Sequence, residues 1–290
     1  MTDFSSTQKR RAGRVLDCAG RRLILDQPRI MGVLNVTPDS FSDGGRWLGR
    51  SAAIEHALEM QQAGADIIDI GGESTRPGAP MVPVQEELDR VIPVIEAIAS
   101  QLSIPVSIDT SKPEVMREAV SAGAGLVNDV CALRQQGALE TAVELGVPVC
   151  LMHMLGNPRS MQENPDYSDV RKEVTEFLLA QAQRCRRAGI PAEHILLDPG
   201  FGFGKTFEQN IELFRYLPDL ANQGYPLLIG VSRKSMIGQL TGRETAQRLA
   251  GSVTAAVLAA QVGAAIIRVH DVAETRDAFK VAAALSLTWA

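Results

Sequence analysis

The chain has 290 residues, of which 45% are hydrophobic, 22% charged and 4% aromatic, with a formal net charge of −5. This length allows one barrel of ~250 residues or two smaller domains, and a negative net charge with no Lys/Arg run longer than Lys9-Arg10-Arg11 argues against a nucleic-acid-binding protein, which normally shows a basic stripe. No apolar run approaches the ~20 residues of a membrane span, and Met1–Arg14 is polar and basic with no apolar signal-peptide centre.

Cys18, Cys131, Cys150 and Cys185 form no CxxC pair, so they read as small core residues in a reducing compartment. The sequence therefore predicts a cytoplasmic protein. A negative net charge does not exclude an anionic substrate, because local charge governs a pocket.

In chain order, residues 14–26 carry two short apolar stretches around Ala19-Gly20. They predict a β-hairpin, so that residues 1–28 form a tail and hairpin placed to plug the bottom of a domain spanning 29–290. Eight apolar runs follow, each cut off by polar residues. Ile30–Leu34 stops at Asn35, Ile67–Ile68 at Asp69, Val106–Ile108 at Asp109 and Leu126–Val127 at Asn128. Val149–Met152 stops at His153, Ile195–Leu197 at Asp198 and Leu227–Val231 at Ser232, Arg233 and Lys234, while Ile266–Val269 carries Arg268 and stops at His270.

Continuous apolar runs mark strands covered by helices on both faces. Helices are expected at about 51–63, 84–99, 112–122, 138–145, 169–188, 206–222, 244–261 and 271–284, with a kink or break at Pro93. Ser111-Lys-Pro-Glu114 reads as a capping box. Eight strands alternating with eight helices specify an α/β fold, a (β/α)8 TIM barrel with a short N-terminal β-hairpin. In that fold the C-terminal strand ends and the loops after them form the active site, so the polar residues at the strand ends predict an enzyme with one shared pocket.

Two long Gly/Pro-rich connections, Val36–Gly45 and Gly71–Pro80, leave the same face and are candidate lids. The run Leu197–Thr206 superficially resembles a phosphate-binding P-loop, but Pro199 stands where the first Gly belongs, so its glycines are expected to bring the backbone close to a ligand instead. Asp198 at a buried strand end could accept two parallel N–H donors of a heterocycle; its alternative is to cap the next helix. Asp109 and Asn128 add acceptors on adjacent strands, and Asp109 could instead bond the turn at Thr110-Ser111. Arg76, Arg233, Lys234, Arg268 and His270 suggest an anion site, the alternative being a structural ion-pair network. Asn35 offers a neutral amide oxygen suited to Mg2+. No Ser-His-Asp, Cys-His or HExxH arrangement supports covalent catalysis or structural zinc.

Met31–Gly45 (MGVLNVTPDSFSDGG), Asp69–Gly78 (DIGGESTRPG), Asp198–Lys205 (DPGFGFGK), Gly230–Ser235 (GVSRKS) and Arg268-Val-His270 together resemble the dihydropteroate synthases of folate biosynthesis. The resemblance spans residues 30–271. It implies a transferase that condenses 6-hydroxymethyl-7,8-dihydropterin diphosphate with p-aminobenzoate, giving 7,8-dihydropteroate and diphosphate. It further implies that Asp109, Asn128, Asp198 and Lys234 bind the pterin, and that Asn35, Thr75, Arg76, Arg268 and His270 hold the diphosphate. Mg2+ would lie near Asn35 and Asp43, while Ser232, Lys234, Phe203, Phe41 and Pro77 would surround p-aminobenzoate. A homodimer and a sulfonamide target are implied as well. A corrinoid-type methyltransferase barrel, which has no need of the Ser-Thr-Arg loop or the Arg268/His270 pair, and a pterin-binding paralogue without synthase activity are the alternatives.

Overall fold

The computed structural model describes residues 14–36, 45–74, 79–156 and 165–285, with residues 45–48 described as backbone alone. Val15–Cys18 (β1) and Arg21–Ile24 (β2) form the expected antiparallel hairpin, with Val15 opposite Ile24 and Cys18 opposite Arg21. Its two turn residues have positive φ, 53° at Ala19 and 87° at Gly20, the conformation that a two-residue hairpin turn demands.

Eight parallel strands follow: Arg29–Asn35 (β3), Ile67–Gly71 (β4), Val106–Asp109 (β5), Leu126–Asp129 (β6), Val149–Met152 (β7), Ile195–Asp198 (β8), Leu228–Ile229 (β9) and Ile266–Val269 (β10). Their order is β8-β7-β6-β5-β4-β3-β10-β9. A parallel bridge between Leu197 and Leu227, with Leu197 N–H donating to Pro226 O at 3.0 Å, joins the two ends and closes the barrel. The (β/α)8 architecture expected from the sequence is thus present.

The helices are Gly45–Gln62 (α1), Val84–Ala99 (α2), Pro113–Ser121 (α3), Ala138–Leu145 (α4), Val170–Ala188 (α5), Phe207–Arg215 (α6), Leu217–Ala221 (α7), Ser235–Thr241 (α8), Leu249–Gln261 (α9) and Val272–Leu285 (α10). Several expectations are corrected here. α2 runs through Pro93 without a break. The expected helix over 206–222 is divided at Tyr216, two residues before Pro218, which has no N–H to continue the ladder. Residues 245–247 form a separate 3₁₀ turn ahead of α9, and α8 is an additional helix with no counterpart among the expected ones. The Ser111 capping box is absent: Lys112 occupies the N-cap of α3 without a side-chain bond, and Ser111 Oγ donates instead to Asp129 Oδ1. The capping box lies at α6, where Thr206 Oγ1 accepts from Gln209 N–H and Gln209 Oε1 accepts from Thr206 N–H.

The barrel's interior is divided along its axis. At the N-terminal end, Leu16, Cys18, Leu23 and Leu25 of the hairpin region cluster with Met31, Ile67, Leu126, Cys150, Leu196, Leu228 and Ile266. Side chains alternate across a strand, so the residues two places further along face the same interior, and there the chemistry changes: Ile67 is followed by Asp69, Leu126 by Asn128, Leu196 by Asp198 and Ile266 by Arg268. The hairpin sits tight against this floor. A Cβ built on Gly125 would lie 2.3 Å from Cys18 O, which only glycine can allow.

Candidate active site

Strand register sets the first row of the site. Asn35 pairs with Gly71, Gly71 with Asp109, Asp109 with Asn128, and Asn128 with Cys150. Gly71 lies between Asn35 and Asp109, and a Cβ there would be in ordinary contact with both, 3.6 Å from Asp109 Cβ and 3.9 Å from Asn35 Oδ1. Asn35 is exposed at its strand end, whereas Asn128 is buried.

Arg268 reaches across this row from β10. Its Nε donates to Asp69 Oδ2 at 2.6 Å and its Nη2 to Asp109 Oδ2 at 2.9 Å. Asn128 Nδ2 donates to the same Asp69 oxygen at 3.2 Å. Asp109 is therefore neither bonded to the turn at Thr110-Ser111 nor a cap of α3. Burial raises the Asp109 carboxyl well above the usual carboxylate range, with the Arg268 guanidinium opposing. The guanidinium itself is held charged by Asp69 and Asp109 against the cost of its burial.

On the opposite wall, Asp198 is 7% exposed, and its Oδ1 accepts from Gly200 N–H at 2.7 Å. It does not cap the next helix, since Thr206 does that. Burial pushes Asp198 up to about 6, against the Gly200 N–H and the Lys234, Lys205 and Arg268 charges. Lys234 Nζ lies 4.2 Å from the Phe203 ring centroid, a cation–π contact. Burial lowers Lys234 to about 8, although Asp198 favours its charge. Phe203, Met152 and Met154 make an apolar wall with Val130 and Cys131 beside them. Ser232 Oγ accepts from His270 N–H at 3.2 Å and lies 3.0 Å from His270 Nδ1. Burial and the neighbouring Arg268 lower His270 to about 4, so it is neutral at pH 7.

The strand-end residues do not all converge. His153 packs edge-on against Phe177 with centroids 4.9 Å apart, and Arg233, in a left-handed conformation at φ 58°, pairs with Asp271. Both serve structure, because the strand parity that turns Met152 and Ser232 inward turns their successors outward. Asp69 lies mid-strand rather than at a strand end. Phe41, Asp43, Thr75, Arg76 and Pro77 lie outside the described residues.

The glycine-rich run is also corrected. Two of its glycines pass close to other backbone, a Cβ on Gly200 lying 2.0 Å from His153 O and one on Gly204 2.7 Å from Leu155 O, whereas a Cβ on Gly202 would lie 3.4 Å from Lys234 Cδ; all three have positive φ. Lys205 is 3% exposed, with Nζ 2.9 Å from Gly200 O, 3.0 Å from Phe203 O and 3.0 Å from His153 Nδ1. It ties the loop to the segment after β7. A second anchor that the sequence did not reveal is Lys112, which bridges Glu73 at 2.5 Å and the buried Glu87. Glu73 Oε1 in turn accepts from Val82 N–H at 3.0 Å, joining the two ends of the second loop.

A barrel whose C-terminal mouth places three carboxylates, two of them buried, with an amide and two cations beside an apolar wall is a small-molecule site of the pterin-binding class. The family model described as "Pterin binding enzyme" matches residues 31–270. The chain is 56% identical to the dihydropteroate synthase of Escherichia coli strain K12 over 90% of its own length and 93% of that protein's. It is similar to the structure of Xanthomonas albilineans dihydropteroate synthase with 4-aminobenzoic acid, with TM-score 0.89 and 56% identity, covering 94% of this chain and 98% of that one. The same enzyme's complex with 7,8-dihydropteroate gives TM-score 0.86 and 54% identity, covering 93% and 98%. The chain belongs to the dihydropteroate synthase family of pterin-binding enzymes.

Proposed function

We infer that the chain condenses 6-hydroxymethyl-7,8-dihydropterin diphosphate with p-aminobenzoate to give 7,8-dihydropteroate and diphosphate, a transferase step in folate biosynthesis. The observation that carries this reading is the buried carboxylate of Asp198 facing Lys234, across the barrel from Asp109 and Asn128. Paired N–H donors on a pterin match a carboxylate's two oxygens, and unpaired donors would be costly to bury there. Arg268 and His270, with Thr75 and Arg76, take the diphosphate. Ser232, Lys234 and Phe203, with Phe41 and Pro77, take p-aminobenzoate, and sulfonamides compete for that seat.

The C–O bond breaks with its electron pair leaving on diphosphate, and the arylamine nitrogen forms the new C–N bond and releases a proton. Cations set around the leaving group stabilise the charge that develops there. No enzyme nucleophile is required. Asn35 and Asp43 would hold Mg2+ in this reading, and the neutral amide of Asn35, an exposed residue at its strand end, suits an ion otherwise held by water and phosphate. When bound, Mg2+ neutralises diphosphate charge. The chain acts as a cytoplasmic homodimer, in keeping with its four free cysteines and with the exposed Leu240, Leu249 and Leu258.

Diphosphate release with both substrates tests the activity. A pterin-binding barrel without synthase activity would bind pterin and release none.

The titrating groups give a pH expectation. Only the ionised Asp198 presents both oxygens as acceptors to paired N–H donors, and its position at about 6 means that protons compete with pterin below that pH. Lys234 contributes positive charge only below about 8. Calorimetric pterin affinity, corrected for the ligand's own titration, should peak between these limits and fall up to about tenfold per pH unit on the acid side. A flat profile from about pH 5 to 9 would contradict the assignment of both residues.

The two loops carrying Phe41, Asp43, Thr75, Arg76 and Pro77 should act as a gate for p-aminobenzoate. Diphosphate with Mg2+ would draw on residues of both loops, and a site already assembled around one ligand costs the second ligand less to complete. p-Aminobenzoate should bind appreciably only when diphosphate and Mg2+ are present, and Arg76→Ala should weaken that dependence. Equal affinities with and without diphosphate would show that the loops are no gate.

A further inference from the structure

Asp69 is the most deeply buried carboxylate of the site, 0% exposed, and no motif reading gave it a role. It carries the Nε of Arg268 and the Nδ2 of Asn128 on the same oxygen, Oδ2. Its other oxygen, Oδ1, is buried with no hydrogen-bond partner among the described residues. An unfilled acceptor on a buried carboxylate, beside a guanidinium that can pair with it in bidentate fashion, is an energetic anomaly.

Arg268 is meanwhile committed elsewhere. Its Nη2 occupies Asp109 Oδ2 at 2.9 Å, the carboxylate that the pterin requires. The diphosphate requires the same guanidinium N–H groups. The two groups that should receive the two halves of the substrate thus satisfy each other.

We propose that Asp69 is the positioning residue on which Arg268 pivots, so that pterin and diphosphate bind cooperatively. This rests on the site reading given above. When pterin donors take Asp109, the guanidinium gives up that contact and turns about its Nε contact with Asp69. One N–H group moves to the unfilled Oδ1, completing a two-bonded pair, and the outer edge is presented to the diphosphate. Asp69 keeps Arg268 in the pocket throughout, because a buried carboxylate left without its cation is strongly unfavourable. Whichever half binds first breaks the Arg268–Asp109 contact, and the second half no longer has to. The coupling is therefore positive and reciprocal. Joined in one substrate, the two halves select the diphosphorylated pterin over the bare one.

The test uses 6-methylpterin, which lacks the bridging oxygen, and inorganic diphosphate with Mg2+. Each is titrated by calorimetry into the intact protein with and without the other. In the unmodified chain each ligand should tighten the other by at least about 5-fold, the lower end of typical couplings. Asp69→Asn keeps the shape and one acceptor but cannot form the charged pair, so a guanidinium released from Asp109 is no longer held where the diphosphate can use it, and its release by pterin gives the second ligand nothing. It should still bind 6-methylpterin through Asp109, Asn128 and Asp198, with coupling below about 2-fold. A purely structural role for Asp69 would shift stability and leave the coupling intact.

Coupling of 1 in the unmodified chain, which needs no variant, overturns the pivot, and so does full coupling in Asp69→Asn. If Asp69→Asn does not fold, Arg268→Lys provides the second variant. Its point charge cannot span two carboxylates, and full coupling there would also overturn the proposal. Failure of the unmodified chain to bind 6-methylpterin removes the site reading and the pivot with it, whereas binding without coupling removes the pivot alone.

Discussion

Asp198→Asn should lower pterin affinity by about 5- to 150-fold while leaving the barrel folded, from a loss of ~1–3 kcal/mol for ligand donors left unpaired in a buried site. The direction of the amide makes the effect large. Gly200 N–H donates to Oδ1 of Asp198 at 2.7 Å, so in the variant the amide oxygen must stay there and the NH2 must face the site. Ligand N–H then meets protein N–H. Stability should be little changed, because the lost carboxylate was itself costly to bury. Calorimetry with a pterin ligand, alongside a urea melt, separates the two effects; undiminished affinity would end the assignment of Asp198.

Lys234 and Lys205 should divide function from stability. Lys234→Ala should remove most activity and leave the fold near its original stability, since Lys234 faces Asp198 and stacks over Phe203 but holds no loop backbone. Lys205→Ala should cost about 3 kcal/mol or more of stability, because Gly200 O, Phe203 O and His153 Nδ1 lose one shared donor in a buried place. Activity of Lys205→Ala should fall only as far as the loop carrying Phe203 shifts. ATP should bind neither protein. Urea midpoints and turnover for both variants check this, and ATP binding that depended on Lys205 would restore a nucleotide reading of the glycine-rich run.

Much of this architecture was legible because apolar period and strand-end chemistry are written residue by residue. Eight apolar runs located the eight strands, and Asp109, Asn128 and Asp198 could be picked out because each is the first polar residue after buried apolar ones. What was not legible depends on which face a residue takes. His153 and Arg233 carry the right chemistry at the right height but follow an inward-facing neighbour, so they turn outward. Asp69 looked like one strand end among several, and its importance comes from Arg268, 199 residues away along the chain. Lys205 and Lys112 were hidden for a related reason: an anchoring lysine and a ligand-binding lysine have the same side chain, and only the acceptors around it tell them apart. The Ser111 capping box failed because Asp129, a buried acceptor on a neighbouring strand, took the hydroxyl.

The pairing of β3 with β10, Ile30 beside Ile267, brings the first barrel strand against the last. During synthesis β3 emerges early and keeps one edge unpaired until almost the whole chain has left the ribosome. Such long-range parallel pairing is slow, and a waiting strand edge invites wrong partners. The contacts of Arg268 with Asp69 and Asp109 form only after that closure, so the catalytic mouth is assembled last. A truncated chain ending before residue 266 would carry every acidic residue of the site and lack the arginine that balances them. Nascent and shortened forms of this protein should therefore depend on chaperones far more than the finished barrel does.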